Sequence, residues 1–113
     1  MISKAMKDKL KQRDPYCMHC GEDVELVIHH RRNRGMGGSK ELDRMSNLMR
    51  ICAPYNTLIE SSATAADVAR EMGHKLRQWD DFSEPVYDEC NGKWYQLDDV
   101  GNKAEVEKPF QLF

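Results

Sequence analysis

Two short apolar runs flank a stretch that cannot be regular, and this arrangement limits what the chain can fold into. Glu25-Leu26-Val27-Ile28-His29 is a β-branched run and reads as a strand. Gly35, Gly37 and Gly38 make a loop of residues 31–43. Asn47-Leu48-Met49-Arg50-Ile51-Cys52 reads as a second strand that pairs with the first as a ribbon, and Pro54 breaks it. From Tyr55 a helix fits, with Leu58 and Ile59 on its apolar face. Ser62 caps another helix over 63–72, which Gly73 closes.

The remainder frames this centre. Residues 3–13 read as a helix capped by Ser3, ended by Asp14-Pro15. Cys17-Met18-His19-Cys20-Gly21 reads as a tight knuckle. Residues 86–90 and 93–97 are strand-like and joined across Asn91-Gly92, the strongest short-range hairpin signal. Residues 98–113 are polar up to Pro109-Phe110-Gln111-Leu112-Phe113 and read as a tail, either loose or docked by its two phenylalanines.

A chain of 113 residues is one domain, with or without a tail. Its core is modest, so a metal staple would help. It has no apolar run of membrane-spanning length, and it begins on a charged helical pattern in place of an apolar signal segment. The expected location is therefore the cytoplasm. Four cysteines in such a chain are expected to be metal ligands or free thiols.

The net charge of −2 hides an asymmetry. Residues 1–79 hold fourteen Lys/Arg against ten Asp/Glu, and residues 80–113 hold three against nine. A polyanion would meet Lys4, Lys7, Lys9, Lys11 and Arg13, or Arg31, Arg32, Arg34, Lys40, Arg44 and Arg50. Arg31, Arg32 and Arg34 are candidates to grip phosphate oxygens as forks. Surface solvation is the competing explanation.

The chemistry centres on His29-His30, with Asn47 seventeen residues after His30 and Asn56 nine beyond that. Adjacent imidazoles supply a metal ligand and a proton acceptor together, and an amide oxygen can complete a hard-cation site. That combination suits phosphodiester hydrolysis, which needs an activated water and a cation on the developing charge. Successive strand residues point to opposite faces, so the two rings share a site only if the strand ends or bends there.

The order strand, His-His, glycine-rich loop, strand, Asn-bearing helix resembles the ββα-metal fold of HNH endonucleases. It is most similar to the small HNH proteins of tailed bacteriophages. The resemblance lies in His29-His30-Arg31-Arg32-Asn33-Arg34-Gly35-Met36-Gly37-Gly38-Ser39, in Ser46-Asn47-Leu48-Met49-Arg50-Ile51-Cys52 and in Asn56-Thr57-Leu58-Ile59-Glu60-Ser61, and covers most of residues 15–100. It implies an α+β fold: a ββα-metal core over about 24–62 inside an HNH nuclease domain of 1–100, with an N-terminal helix, a following helix, a C-terminal β-hairpin and a tail over 101–113. It further implies a metal-dependent DNA endonuclease. His29 and Asn56 would hold one divalent cation, His30 would be the general base, and Asn47 would tether the loop and orient His30. Asn at the third motif position, where His is more usual, also resembles the HNH domains of CRISPR effector nucleases. An amide oxygen suits Mg2+ or Mn2+ better than zinc. Products would carry 5′ phosphate and 3′ hydroxyl ends. The phage relatives often assist genome packaging, which would make terminase subunits partners.

Cys17-x-x-Cys20 is half of a structural zinc site, and Cys52 is a third thiol. Many relatives have a second Cys pair, but here Tyr55 takes the partner position. The fourth ligand is left open between His19, Cys90 and none, as is a degenerate site of buried apolar thiols. Two other functions compete with the nuclease. One is a nucleic-acid-binding module with an inactive site, suggested by the incomplete Cys set and Asn56. The other is a protein adaptor that uses the acidic C-terminal end.

Overall fold

The computed structural model describes residues 2–33 and 40–109. Among these are three helices and two small antiparallel sheets, a mixed α+β domain. Helix α1 (Lys4–Arg13) starts where the Ser3 hydroxyl accepts the Met6 N–H at 3.2 Å. Strands β1 (Leu26–His30) and β2 (Leu48–Cys52) form the first sheet, with Val27 opposite Ile51, His29 opposite Met49 and His30 opposite Leu48. Two 3-10 turns, Lys40–Asp43 and Met45–Asn47, lead into β2.

Helix α2 (Ala53–Ser61) follows β2 directly, with Pro54 in its first turn where no amide donor is missed. Helix α3 (Ala63–Glu71) is capped by Ser62, whose hydroxyl accepts the Ala65 N–H at 3.2 Å. Gly73 closes it at φ +72°, and a Cβ there would lie 1.9 Å from the Pro85 carbonyl oxygen. Only glycine allows both the left-handed backbone and this approach.

The second sheet has the order β3 (Val86–Asp88), β4 (Lys93–Leu97), β5 (Lys103–Val106). Two expectations change here. The hairpin turn is longer than Asn91-Gly92, because Asp88 Oδ1 accepts the Cys90 and Asn91 N–H groups and ends β3 at Asp88. Residues 103–106, expected in a tail, pair with β4 and belong to the domain. The docking expected of Phe110 and Phe113 falls outside the described residues.

The ribbon separates two apolar clusters. Met49 and Ile51 join Tyr55, Ile59, Ala69, Val86 and Leu97 on one face. Leu48 packs with Leu10, Met45 and Ile28 on the other, beneath α1. No helix among the described residues is long and apolar enough to cross a membrane.

Candidate functional site

The strand β1 runs through both histidines without a bend. Their rings therefore leave on opposite faces of the ribbon, as their partners Met49 and Leu48 do. The sharing of one point that a bend would allow is not seen. Each ring instead has its own buried anchor.

His29 is 3 % exposed. Its Nε2 lies 2.7 Å from the His74 carbonyl oxygen, to which it donates. That bond fixes the tautomer and leaves Nδ1 with a lone pair. The Glu60 carboxylate approaches Nδ1 at 3.9 Å. Burial pushes the His29 pKa down to about 4, with the neighbouring Lys75 and His30 adding to the effect. The ring is neutral near pH 7, so this approach is not an ion pair.

His30 is partly exposed, and its Nε2 donates to Asp43 Oδ1 at 2.7 Å. Asp43 is buried in the first 3-10 turn. A carboxylate can only accept, so Nε2 carries a proton, and in the neutral ring Nδ1 is then the acceptor.

Asn47 is completely buried between these parts. Its Oδ1 accepts the Arg32 N–H at 2.7 Å, and its Nδ2 donates to the Leu42 carbonyl at 2.8 Å and the Arg32 carbonyl at 3.2 Å. One side chain thus ties the exit of β1 to the turn that carries Asp43. Asn56 is half-buried on α2, one turn before Glu60.

His74 links the elements and was not singled out by the sequence. It is fully buried; its Nε2 donates to the Tyr87 carbonyl at 2.6 Å and its Nδ1 accepts the Tyr55 hydroxyl at 2.7 Å. Burial takes its pKa down to about 4 as well. Lys75 and Asp43 were missed too, since each meets its partner through the fold.

The arginines differ from expectation. Arg31 is fully buried, and its guanidinium donates to the carbonyls of Gly73, Ser46, Phe82 and Glu84. It has no surface from which to touch a phosphate, so its assigned phosphate contact is corrected to a structural role. Arg32 donates to the Gln78 carbonyl at 2.7 Å and lies 4.1 Å over the Phe82 ring. Arg44 is held by Asp99. These two arginines line a cleft of about 510 Å³ together with Trp79, Phe82, Asp81 and Asp99. Arg34 and the three glycines lie outside the described residues.

The sulfur atoms of Cys17, Cys20 and Cys52 all lie within 4.8 Å of one another, close enough to hold one metal ion. All four cysteines are free thiols. Burial pushes Cys52 up to about 11, whereas a backbone N–H from Glu22 lowers Cys20. Tyr55 stacks on His19 at 4.0 Å and spends its hydroxyl on His74. His19 is bound to Glu89. Cys90 faces the knuckle, with its sulfur 3.6 Å from the Cys17 carbonyl and 3.8 Å from that of Met18. No family model, curated protein or solved structure matches this chain.

Proposed function

We propose that this protein is a metal-dependent endonuclease of the HNH kind, with β1, β2 and α2 as its ββα-metal core. The carrying observation is the pair of adjacent imidazoles, each with its Nε2 donating to a buried oxygen and its Nδ1 left as an acceptor. Two such rings are rooted on Cα atoms about 3.8 Å apart. Because the rings leave on opposite faces, a phosphodiester would have to lie over the end of the ribbon to meet both.

The donor set fits a hard divalent cation. His29 is neutral, as a ligand must be, and its second nitrogen is fixed by a carbonyl. With the amide oxygen of Asn56 it would hold Mg2+ or Mn2+. When bound, such a cation polarises the scissile phosphate and offsets charge on the leaving oxygen. His30 Nδ1 takes the proton of the attacking water, and Asp43 stabilises the imidazolium that results. Asn47 acts as a positioning residue: through the Leu42 carbonyl it fixes the turn that bears Asp43. The lysines of α1, Lys7 and Lys11, are exposed and would offer positive charge to a DNA backbone.

Supercoiled plasmid with Mg2+ or Mn2+ tests this directly. Wild type should nick, and His30→Ala should be slower by at least about 100-fold while DNA binding is kept. Binding by both proteins with cleavage by neither would favour the inactive binding module.

The thiol cluster is best read as a separate, structural zinc site. Its three sulfurs are spaced for thiolate coordination, and Cys90 is the nearest further thiol on the knuckle. Elemental analysis should find about one zinc per chain, and strong chelation should lower the Tm by more than about 5 °C. Metal-free protein with an unchanged Tm would remove zinc from the account.

A further inference from the structure

Cys20 and Cys52 are 32 positions apart in the chain, yet their sulfurs lie 3.4 Å from each other. The fold brings them together. Cys20 lies in the knuckle before β1, while Cys52 ends β2 and caps α2, its sulfur accepting the Tyr55 N–H at 3.4 Å. A disulfide holds its sulfurs about 2.05 Å apart, so the pair must close by roughly 1.4 Å. Rotation of the two side chains about χ1 covers that distance without moving the backbone.

The thiols of the cluster differ in access. Cys20 is exposed, Cys52 is 7 % exposed and Cys17 is 0 % exposed. A cleft of about 400 Å³ with Val24, Pro54, Tyr55 and Leu58 in its walls is lined by Cys20 and Cys52 but not by Cys17. Cys90 is exposed too, but its sulfur faces the carbonyls of Cys17 and Met18 and is not one of the three that lie within 4.8 Å of one another. A small oxidant entering the cleft therefore meets Cys20 first, with Cys52 as the adjacent sulfur. An accessible thiol poised beside a resolving one is the arrangement that oxidises reversibly.

We propose that Cys20 and Cys52 form a modification site at which hydrogen peroxide makes a disulfide, and that this disulfide excludes metal from the cluster. The Cys20 sulfur attacks one peroxide oxygen, the O–O bond breaks, and the departing hydroxide takes the thiol proton as water. The Cys52 sulfur then attacks the sulfenic sulfur of Cys20, the S–O bond breaks, and a second water leaves with the Cys52 proton. Two thiols give up two electrons and two protons, and one peroxide becomes two waters. The exclusion follows from the ligand count. A metal is held by thiolates, and after oxidation only Cys17 of the three can become one. The disulfide itself needs no metal; the exclusion rests on the structural zinc reading of this cluster and on no part of the nuclease reading.

Treating the full chain with hydrogen peroxide, then alkylating it unfolded and mapping its peptides by mass, tests the pairing. A single Cys20–Cys52 disulfide should form, with Cys17 and Cys90 still open to alkylation. Cys20→Ser should slow the loss of free thiols at least about tenfold, and Cys90→Ser should leave the disulfide and its rate unchanged. Cys52→Ala should stop Cys20 at the sulfenic acid, which dimedone traps; Cys52→Ser repeats this should the alanine variant fold poorly. A Cys17–Cys20 disulfide, a disulfide through Cys90, or Cys20 driven to sulfinic acid with no disulfide would overturn the proposal. Zn2+ titration of the reduced and the oxidised chain against a chromogenic chelator tests the exclusion. The oxidised chain should bind at least about tenfold more weakly, and dithiothreitol should restore the binding. Equal zinc affinity before and after oxidation would overturn the exclusion. No zinc uptake by the reduced chain would overturn it together with the zinc reading, and the disulfide would stand alone.

Discussion

Replacing Arg31 with methionine should cost about 3–5 kcal/mol of stability, a third or more of what a domain of this size has. The guanidinium is 0 % exposed. It meets the Gly73 carbonyl at 2.8 Å, that of Ser46 at 2.8 Å and that of Phe82 at 3.2 Å, and also bonds Glu84. The exit of β1 is thereby fastened to the closing turn of α3, to the start of β2 and to the approach to β3. Methionine fills much of the space but donates nothing, and each stranded carbonyl costs about 1–3 kcal/mol where water does not reach it. Lysine would do little better, since one ammonium cannot match a planar fork spread over four acceptors. Urea denaturation reads this as a lower midpoint at constant slope. A phosphate-gripping arginine would behave oppositely, with DNA affinity falling and the midpoint unmoved. An unshifted midpoint in Arg31→Met would therefore contradict the buried placement.

The same residue shows where sequence reading stops. Arg31 lies beside two candidate catalytic histidines in a basic stretch, and nothing local separates a phosphate fork from a buried clamp. Its acceptors are carbonyls 15 to 53 positions away, and every residue type has a carbonyl. Features decided within a few residues were legible. Ser3 and Ser62 cap the helices they precede, Gly73 stops α3, and Pro54 follows the end of β2 and sits in the first turn of α2. β5 was not legible, because Lys103-Ala104-Glu105-Val106 has little strand preference and pairs because the edge of β4 is open to it.

The candidate site divides along the same line. His29, His30, Asn47 and Asn56 stood out through motif spacing, and the first three are found anchored by buried hydrogen bonds. Their anchors were hidden. Asp43 sits thirteen residues past His30 at the end of an irregular stretch, and His74 and Lys75 follow a helix stop that reads only as punctuation. Burial decides what these groups do, and burial is a property of the whole fold.

Acid should unfold this protein early, and the cause should be traceable to His29 and His74. Burial holds both pKa values near 4 in the folded state. An imidazole in the unfolded chain titrates near 6.5. Between about pH 6.5 and 4 the unfolded state binds more protons than the folded one, so stability falls as pH falls through that window. The loss begins below about pH 6.5, is complete near pH 4 and amounts to roughly 3 kcal/mol per ring. The two losses are not independent, since His29 donates to the His74 carbonyl and both rings pack on α2. The depressed carboxylates act lower down. Asp99, held near 2 by Arg44 and Ser46, gives up its contribution only below about pH 4. Urea midpoints between pH 7.5 and 4.5 should therefore decline with a slope approaching two protons. His29→Gln should reduce that slope to about one, because glutamine keeps a donor for the His74 carbonyl and removes the titration. A wild-type midpoint flat from pH 7 to 5 would mean that both rings are hydrated, and the neutral His29 on which cation binding depends would lose its physical basis.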